Sequence, residues 1–432
     1  MELLFIPLFF FYIATLLPDL FASPFPLILF FFIPLVLSLR WQKLDLFSIC
    51  TILVLFLFCD GYDKRTLNLS FSPELCDGYF CKIISQPVGR ERRKKGFSVS
   101  LIAQKDTHGN VYSSSGVLYA IGNDMDMNIF DIVYLSGNID DGLLMFSSSD
   151  IVRKNMFSDI RKKIITLIRR RMYSSRSSEL MQLLILGSSD FGSITIGEKA
   201  SLSGLRHVIA LSGMHLAALS ILLSPLKIIS KSIYRFVEMF SMALFTFLSG
   251  WRPSLLRAFI FRSLAKFGFK VDQCFILSAI LLLFVFPYYA FDLGAIYSFI
   301  ALSGILIVTP YLSESLSCLL PKGMSLLLST SISALLFSIP ISLHTFGYYQ
   351  LFSILTSISI GPLVLAYMIL SIIYLFVPSL ESFTYIAYRA IDLILSINIV
   401  PVQNGIECYL VLVMIVFIFM SKVIYTNHLR HY

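Results

Sequence analysis

Three apolar runs open the chain, at residues 3–17, 25–39 and 44–59, and apolar runs return from Gly204 to near the C-terminus. The region between them has a different rhythm. From about residue 62 to 151, short stretches alternate apolar and polar side chains. FSVSLIAQ, SSGVLYAI and DIVYLSGNI carry that period of two and predict strands, and DTHGN predicts a hairpin turn around Gly109. No long helical period interrupts them. The expected unit is a small β-domain of about five strands, with a five-stranded OB-type barrel as its leading form.

Next comes FSDIRKKIITLIRRRMY, which places Phe157, Ile160, Ile164, Leu167 and Ile168 on one helical face. Arg161, Lys162, Lys163, Arg169, Arg170 and Arg171 surround much of the rest, Ser158 can cap the helix, and Asp159 stands in its first turn. A basic amphipathic helix of this kind lies along a membrane surface or packs on the β-domain, and the pattern leaves both open. Beyond Gly204 the pattern predicts about eight or nine helical segments. They fall near residues 205–223, 233–248, 255–267, 274–286, 291–308, 325–341, 351–376, 386–400 and 408–423. Several are short for a full crossing, which is tolerated where protein or water covers the freed backbone.

Composition turns these runs into a membrane expectation. Hydrophobic residues make up 57% of the chain, charged residues 14%, and mean hydropathy is +0.81. Soluble domains run at about 45–50% and about 25%. The expected fold class is a polytopic α-helical membrane protein with an inserted small extracytoplasmic β-domain. Its parts are N-terminal transmembrane helices (1–60), an OB-like β-domain (61–152), basic amphipathic linking helices (153–200) and a helical transmembrane domain (201–432). Arg40 and Lys43 put the link between the second and third runs in the cytoplasm, so the β-domain falls outside. No cleavable signal peptide is expected, because a basic n-region is missing and apolar runs follow at once. The net charge of +8 fits basic cytoplasmic loops and also suits an anionic partner. Of seven cysteines, five sit in apolar runs. Cys76 and Cys81, in a polar region outside the cytoplasm, are candidates for a small-loop disulfide. No histidine stands near them to suggest a metal site.

Three polar clusters are candidates for function. GRERRKKG carries Arg90, Arg92, Arg93, Lys94 and Lys95 with one acid. It reads as a solvated loop or as a phosphate-contacting one. GLRHVIALSGMHLAAL is apolar enough to cross a membrane, yet holds Arg206, His207, Ser212, Gly213 and His215. As one helix it would set His207 and His215 about 80° apart and two turns along. The histidines would line a polar path or bond between helices. Ser212 and His215 also invite an intramembrane hydrolase, but no oxyanion donors or orienting acid can be named, and two histidines alone do not make a zinc site. GWRPSLLRAFIFRSLAKFGFK brings Arg252, Arg257, Arg262, Lys266 and Lys270 with no acid. These charges do not share one helical face. They belong at the interface, in a cytoplasmic loop, or beside a wet path that an anionic ligand follows. Asp292 is placed to cap the helix that follows it.

These motifs together resemble the ComEC family, the inner-membrane channel of natural competence. Gly204, His207, Ala210, Ser212, Gly213 and His215 match its Gly, His, Ala-Ile-Ser-Gly-Leu-His signature, with Leu211 and Met214 as conservative departures. ELMQLLILG resembles the family's linking segment. SGWRPSLLRAF matches at Gly250, Pro253, Ser254, Arg257 and Ala258, and FPYYAFDLGAIYSFIAL at Pro287, Asp292, Gly294 and Ser298. Leu293 and Ile296 depart from that pattern; near GPLVL, Pro362 fits and Ser357 replaces a common Asn. The resemblance implies passage of one DNA strand across the bacterial inner membrane by a multi-pass protein that is not an enzyme and uses no cofactor or metal. It implies single-stranded DNA, a receptor on the extracytoplasmic side and a cytoplasmic ATP-driven helicase or translocase as partners; membrane lipid and a second copy of the chain complete the list. No Gly-x4-Gly-Lys-Ser/Thr loop occurs to supply energy within the chain. Longer members end in a metallo-β-lactamase-like domain; this chain has six histidines and no His-x-His-x-Asp-His cluster, so nuclease chemistry is not expected of it. A small-molecule or lipid transporter is the remaining alternative beside the hydrolase.

Overall fold

The computed structural model describes residues 67–70, 76–85, 88–89, 94–123, 127–140, 143–155, 158–172, 175–187, 196, 199–200, 212–349, 353–396 and 402–403. The three N-terminal runs, the 408–423 segment, His207, Arg90, Arg92 and Arg93 lie outside the described residues.

The alternating region forms β1 (Cys76–Ile83), β2 (Val88–Gly89), β3 (Lys94–Asp106), β4 (Val111–Ser113), β5 (Val117–Asn123), β6 (Ile132–Asp140) and β7 (Leu143–Arg153). β3 is long enough to pair antiparallel with β1, β4 and β5. β1 also pairs with β6, β6 with β7, and β7 runs parallel to β5. The five long strands therefore form a ring in the order β1-β3-β5-β7-β6 and back to β1. Alternation fills its centre: Tyr79, Cys81 and Ile83 from β1 meet Phe97, Val99 and Leu101 from β3, with Leu118, Val133, Leu135 and Leu144. At the β3–β4 turn, Asp106 Oδ1 accepts from the backbone N–H groups of His108 and Asn110, and Gly109 takes φ 91°.

Cys76 and Cys81 are free thiols, which corrects the disulfide expectation. They lie five residues apart on one extended strand, roughly 16 Å along it. A bridge needs Cα atoms within about 7 Å. Burial pushes the Cys81 thiol up to about 12, so it sits in the core as a neutral apolar group.

α1 (Ser158–Arg171) and α2 (Ser175–Leu186) follow as a hairpin. Ile164, Ile165 and Ile168 from α1 and Leu180, Met181 and Leu184 from α2 join Tyr367, Tyr388 and Ile391 of the later helices in one core. The expected face is rotated: Ile160 and Leu167 are exposed, and Arg161 is buried.

The helical part continues with α3 (Gly213–Leu223), α4 (Leu226–Ile229), α5 (Lys231–Leu248), α6 (Pro253–Lys266), α7 (Val271–Val285), α8 (Leu293–Leu316), α9 (Lys322–Phe346), α10 (Ser353–Tyr374) and α11 (Glu381–Leu395). A short pairing of Tyr348–Tyr349 with Val402–Gln403 joins two loops. Among the described residues two helices are long and apolar enough to cross a membrane, 293–316 and 322–343.

These two pair through small and hydroxyl side chains, the usual basis of close helix approach in lipid. Thr309 Oγ1 donates to Ser333 Oγ at 3.1 Å, and Tyr297 and Ser342 hydroxyls meet at 3.1 Å. Gly304 is the tightest point, since a Cβ there would stand 2.4 Å from the Ser333 carbonyl oxygen. That oxygen is backbone, so a helix must move to make room. Gly304→Val is expected to cost roughly 3 kcal/mol or more through overpacking. A lower unfolding temperature of the purified protein, with Ser338→Ala unchanged, checks it.

Candidate functional site

α3 begins at a boundary the sequence does not announce. Ser212 is extended, with φ −141° and ψ −179°, so no single helix runs through 205–223. The Ser212 hydroxyl accepts from Met214 N–H at 3.4 Å, and the Ser212 N–H donates to His215 Nδ1 at 3.1 Å. This is a capping box in which histidine takes the place usual for Glu or Gln. It explains the Ser-Gly-Met-His spacing: the serine serves two orphan donors and the ring returns the bond. His215 is 1% exposed, and its Nε2 has no hydrogen-bond partner among the described residues. Because Nδ1 accepts a backbone N–H, the neutral ring carries its proton on Nε2.

α6 is the hub on which the other motif residues converge. A Cβ on Gly213 would lie 3.4 Å from the Ala258 Cβ, so the start of α3 packs against the middle of α6. The start of α8 packs against the start of α6: a Cβ on Gly294 would lie 3.8 Å from Pro253 Cγ. Asp292 caps α8 by accepting from Ala295 N–H at 3.0 Å. Between these contacts Arg257 Nε donates to Ser298 Oγ at 2.7 Å, and its guanidinium lies 5.7 Å from the Phe299 ring centroid. Arg257 is half-buried and forms no ion pair among the described residues. A half-buried guanidinium held by one hydroxyl and one ring face keeps donors for an anion.

The other cations of α6 are differently placed. Arg262 and Lys266 both meet Glu238 of α5, whose side chain is only 2% exposed. The hydroxyls of Tyr234 and Ser220 lie within hydrogen-bonding reach of the same carboxylate. Glu238 is thus the acid that the 250–270 stretch lacks, supplied from a neighbouring helix. Arg252 Nη2 donates to the Gly187 carbonyl at 2.6 Å, tying α6 to the end of α2. Lys270 is exposed at the start of α7. Lys94 starts β3, paired with Asn123. The Lys95 backbone stands in register with Gly89 and Gly122.

The barrel meets the helices at the end of the bundle that carries Arg257. Buried Arg161 donates to the Leu186 carbonyl at 2.6 Å and to the Leu248 carbonyl at 2.8 Å. Phe130, from the β5–β6 loop, contacts Trp251 and Phe286 with ring centroids 6.3 and 6.4 Å apart. Asp131 shapes that loop by accepting from Asn128 N–H at 2.8 Å and Asn155 N–H at 2.6 Å. Burial raises its carboxyl above the usual range, against these bonds and the charges of Lys154 and Lys162. At the opposite end lie Lys227, Lys231, Arg235, Arg262, Lys266 and Lys270.

A family model described as Competence protein matches residues 184–426, more than half of the chain. No curated protein and no solved structure matches.

Proposed function

The chain belongs to the competence protein family, like ComEC, and on that premise we propose that it passes single-stranded DNA across the bacterial inner membrane during uptake. Arg257 carries the reading: a half-buried cation with open donors, at the point where three motif segments meet beneath the barrel. Positive groups lower the cost of moving phosphates past a low-dielectric wall.

Supporting a multi-pass membrane setting, α5 turns large apolar side chains outward: it buries Glu238, Tyr234 and Thr246 beside Met242 and Phe245 and exposes Ile233, Phe236, Phe240 and Leu244. The membrane-length windows of α8 and α9 are only 39% and 33% buried within the protein. The basic end of the bundle faces the cytoplasm by the positive-inside rule, which leaves the barrel outside. The ring of five long strands, with one parallel pair, supports an OB-type reading, and such barrels hold single strands in basic grooves. The segment 90–95 is our choice for that contact. Lipid surrounds the helices, a receptor delivers DNA from outside, an ATP-driven helicase or translocase pulls from the cytoplasm, and a second copy completes the pore.

We read Ser212 and His215 as a cap rather than as nucleophile and base. Nδ1 already accepts the Ser212 N–H, and the hydroxyl stands 3.5 Å from it. On this reading the chain is not an enzyme and needs no cofactor.

The test is uptake of labelled double-stranded DNA in a deletion strain, scored by compartment. DNA that reaches the envelope but not the cytoplasm supports the reading. Unchanged arrival in the cytoplasm of a competent host sinks it and favours a small-molecule or lipid transporter.

A further inference from the structure

Two non-glycine residues of the described chain have positive φ, Phe130 at 68° and Trp251 at 52°. They come from different parts of the protein, yet their rings meet edge to face across the junction of barrel and bundle. A bulky residue in this conformation is held there by its surroundings, and such outliers point to functional sites. Both are held firmly. Asp131 accepts from the Asn128 N–H within the Phe130 loop and ties the loop to the Asn155 N–H beyond β7. The Trp251 backbone N–H donates to the Thr246 carbonyl at 3.1 Å, and the Trp251 carbonyl accepts from the Tyr289 hydroxyl at 2.7 Å.

The strained pair presents a third ring. Phe130 and Phe286 are parallel within 13°, with centroids 6.4 Å apart, and Trp251 closes on both, 5.7 Å from Phe286. One flat ring stacked on both faces spans about 6.8 Å, twice the base step of a nucleic-acid strand. The 6.4 Å between the Phe130 and Phe286 centroids comes close to that spacing. Lys82, exposed on β1, holds its ammonium 5.4 Å from the Phe130 centroid. It supplies positive charge for the phosphate beside such a base. All three residues are half-buried.

We propose that Phe130, Trp251 and Phe286 form a stacking port that takes one unpaired nucleobase at a time as a strand leaves the barrel for the helical domain. The proposal rests on the DNA reading above and adds where the strand crosses between the two parts. Base–aromatic stacking is indifferent to sequence, which suits a port that every base must pass.

The chain has two tryptophans, so Trp41→Phe leaves Trp251 as the single reporter. The full protein in lipid nanodiscs is titrated with unlabelled oligothymidylate, following Trp251 emission. Parallel anisotropy of a labelled oligothymidylate measures total binding. The expected result is quenching of Trp251 that saturates with the anisotropy change. Phe130→Leu should weaken binding roughly tenfold, and Phe130→Tyr should retain it. Phe286→Leu repeats the test should Phe130→Leu not fold. Normal anisotropy binding with unchanged Trp251 emission, and parent-like affinity in the leucine variants, overturns the port and leaves the DNA reading standing. No binding by anisotropy removes both.

Discussion

Arg257→Gln should lower delivery of DNA to the cytoplasm roughly a hundredfold while DNA still reaches the envelope. The loss of one charge-assisted contact to each passing phosphate is worth about 3 kcal/mol at the upper end, or two decades. Glutamine keeps much of the length of the side chain and can still meet Ser298, which now lies 2.7 Å from Nε. The packing of α6 on α8 should therefore survive, and membrane abundance should match the parent. Arg257→Lys keeps the charge but loses the planar fork and should fall between the two. Ser298→Ala frees the guanidinium from its one hydroxyl partner and should cost less than Arg257→Gln. Compartment-scored uptake at matched protein level is the measurement. Parent-like delivery by Arg257→Gln would remove this residue from the path.

Glu238→Ala should act through stability instead. Its side chain is 2% exposed and answers two cations, Arg262 and Lys266, that retain 36% and 25% exposure. Breaking a buried pair by removing one member costs about 3–5 kcal/mol, because the remaining charge is left without an answer. The partial exposure of both cations puts the expectation near the lower figure, about 3 kcal/mol. The fall should appear in the unfolding temperature and in membrane abundance. Glu238→Gln with Lys266→Met removes charge from both sides and should recover much of the loss. A Glu238→Ala protein as stable as the parent would show that the two cations find water by themselves.

The contrast between Arg257 and Glu238 shows what could be read from the sequence. Alternation placed β3, β5 and β6, because a half-buried strand must repeat every two residues. The turn at Gly109 followed from Asp106 and the glycine. Most described helices begin within a few residues of their apolar runs. The start of α3 was missed because His215 stands where a capping Glu or Gln would have announced it. The rotation of α1 was missed because buried Arg161 earned its place from carbonyls at the ends of α2 and α5, which no helical wheel contains. Glu238 was hidden in an apolar run, and its meaning depends on two cations on another helix. Cys76 and Cys81 looked like a pair by spacing, but strand geometry holds them apart. The positive φ of Phe130 and Trp251 has no sequence signal at all, since neither residue favours that conformation.

The ring of strands also sets the order of events as the protein is made. Tyr79 of β1 pairs with Gln104 on one side and with Leu135 on the other. The first strand thus waits for a partner more than fifty residues later, while each helix forms from its own neighbours. Synthesis must reach Arg153 before the ring can close. Until then β1 and β3 form an open ribbon with apolar side chains uncovered. Ring closure is therefore expected to be slower than helix formation, and the interval before it is when a chaperone or protease has its opportunity.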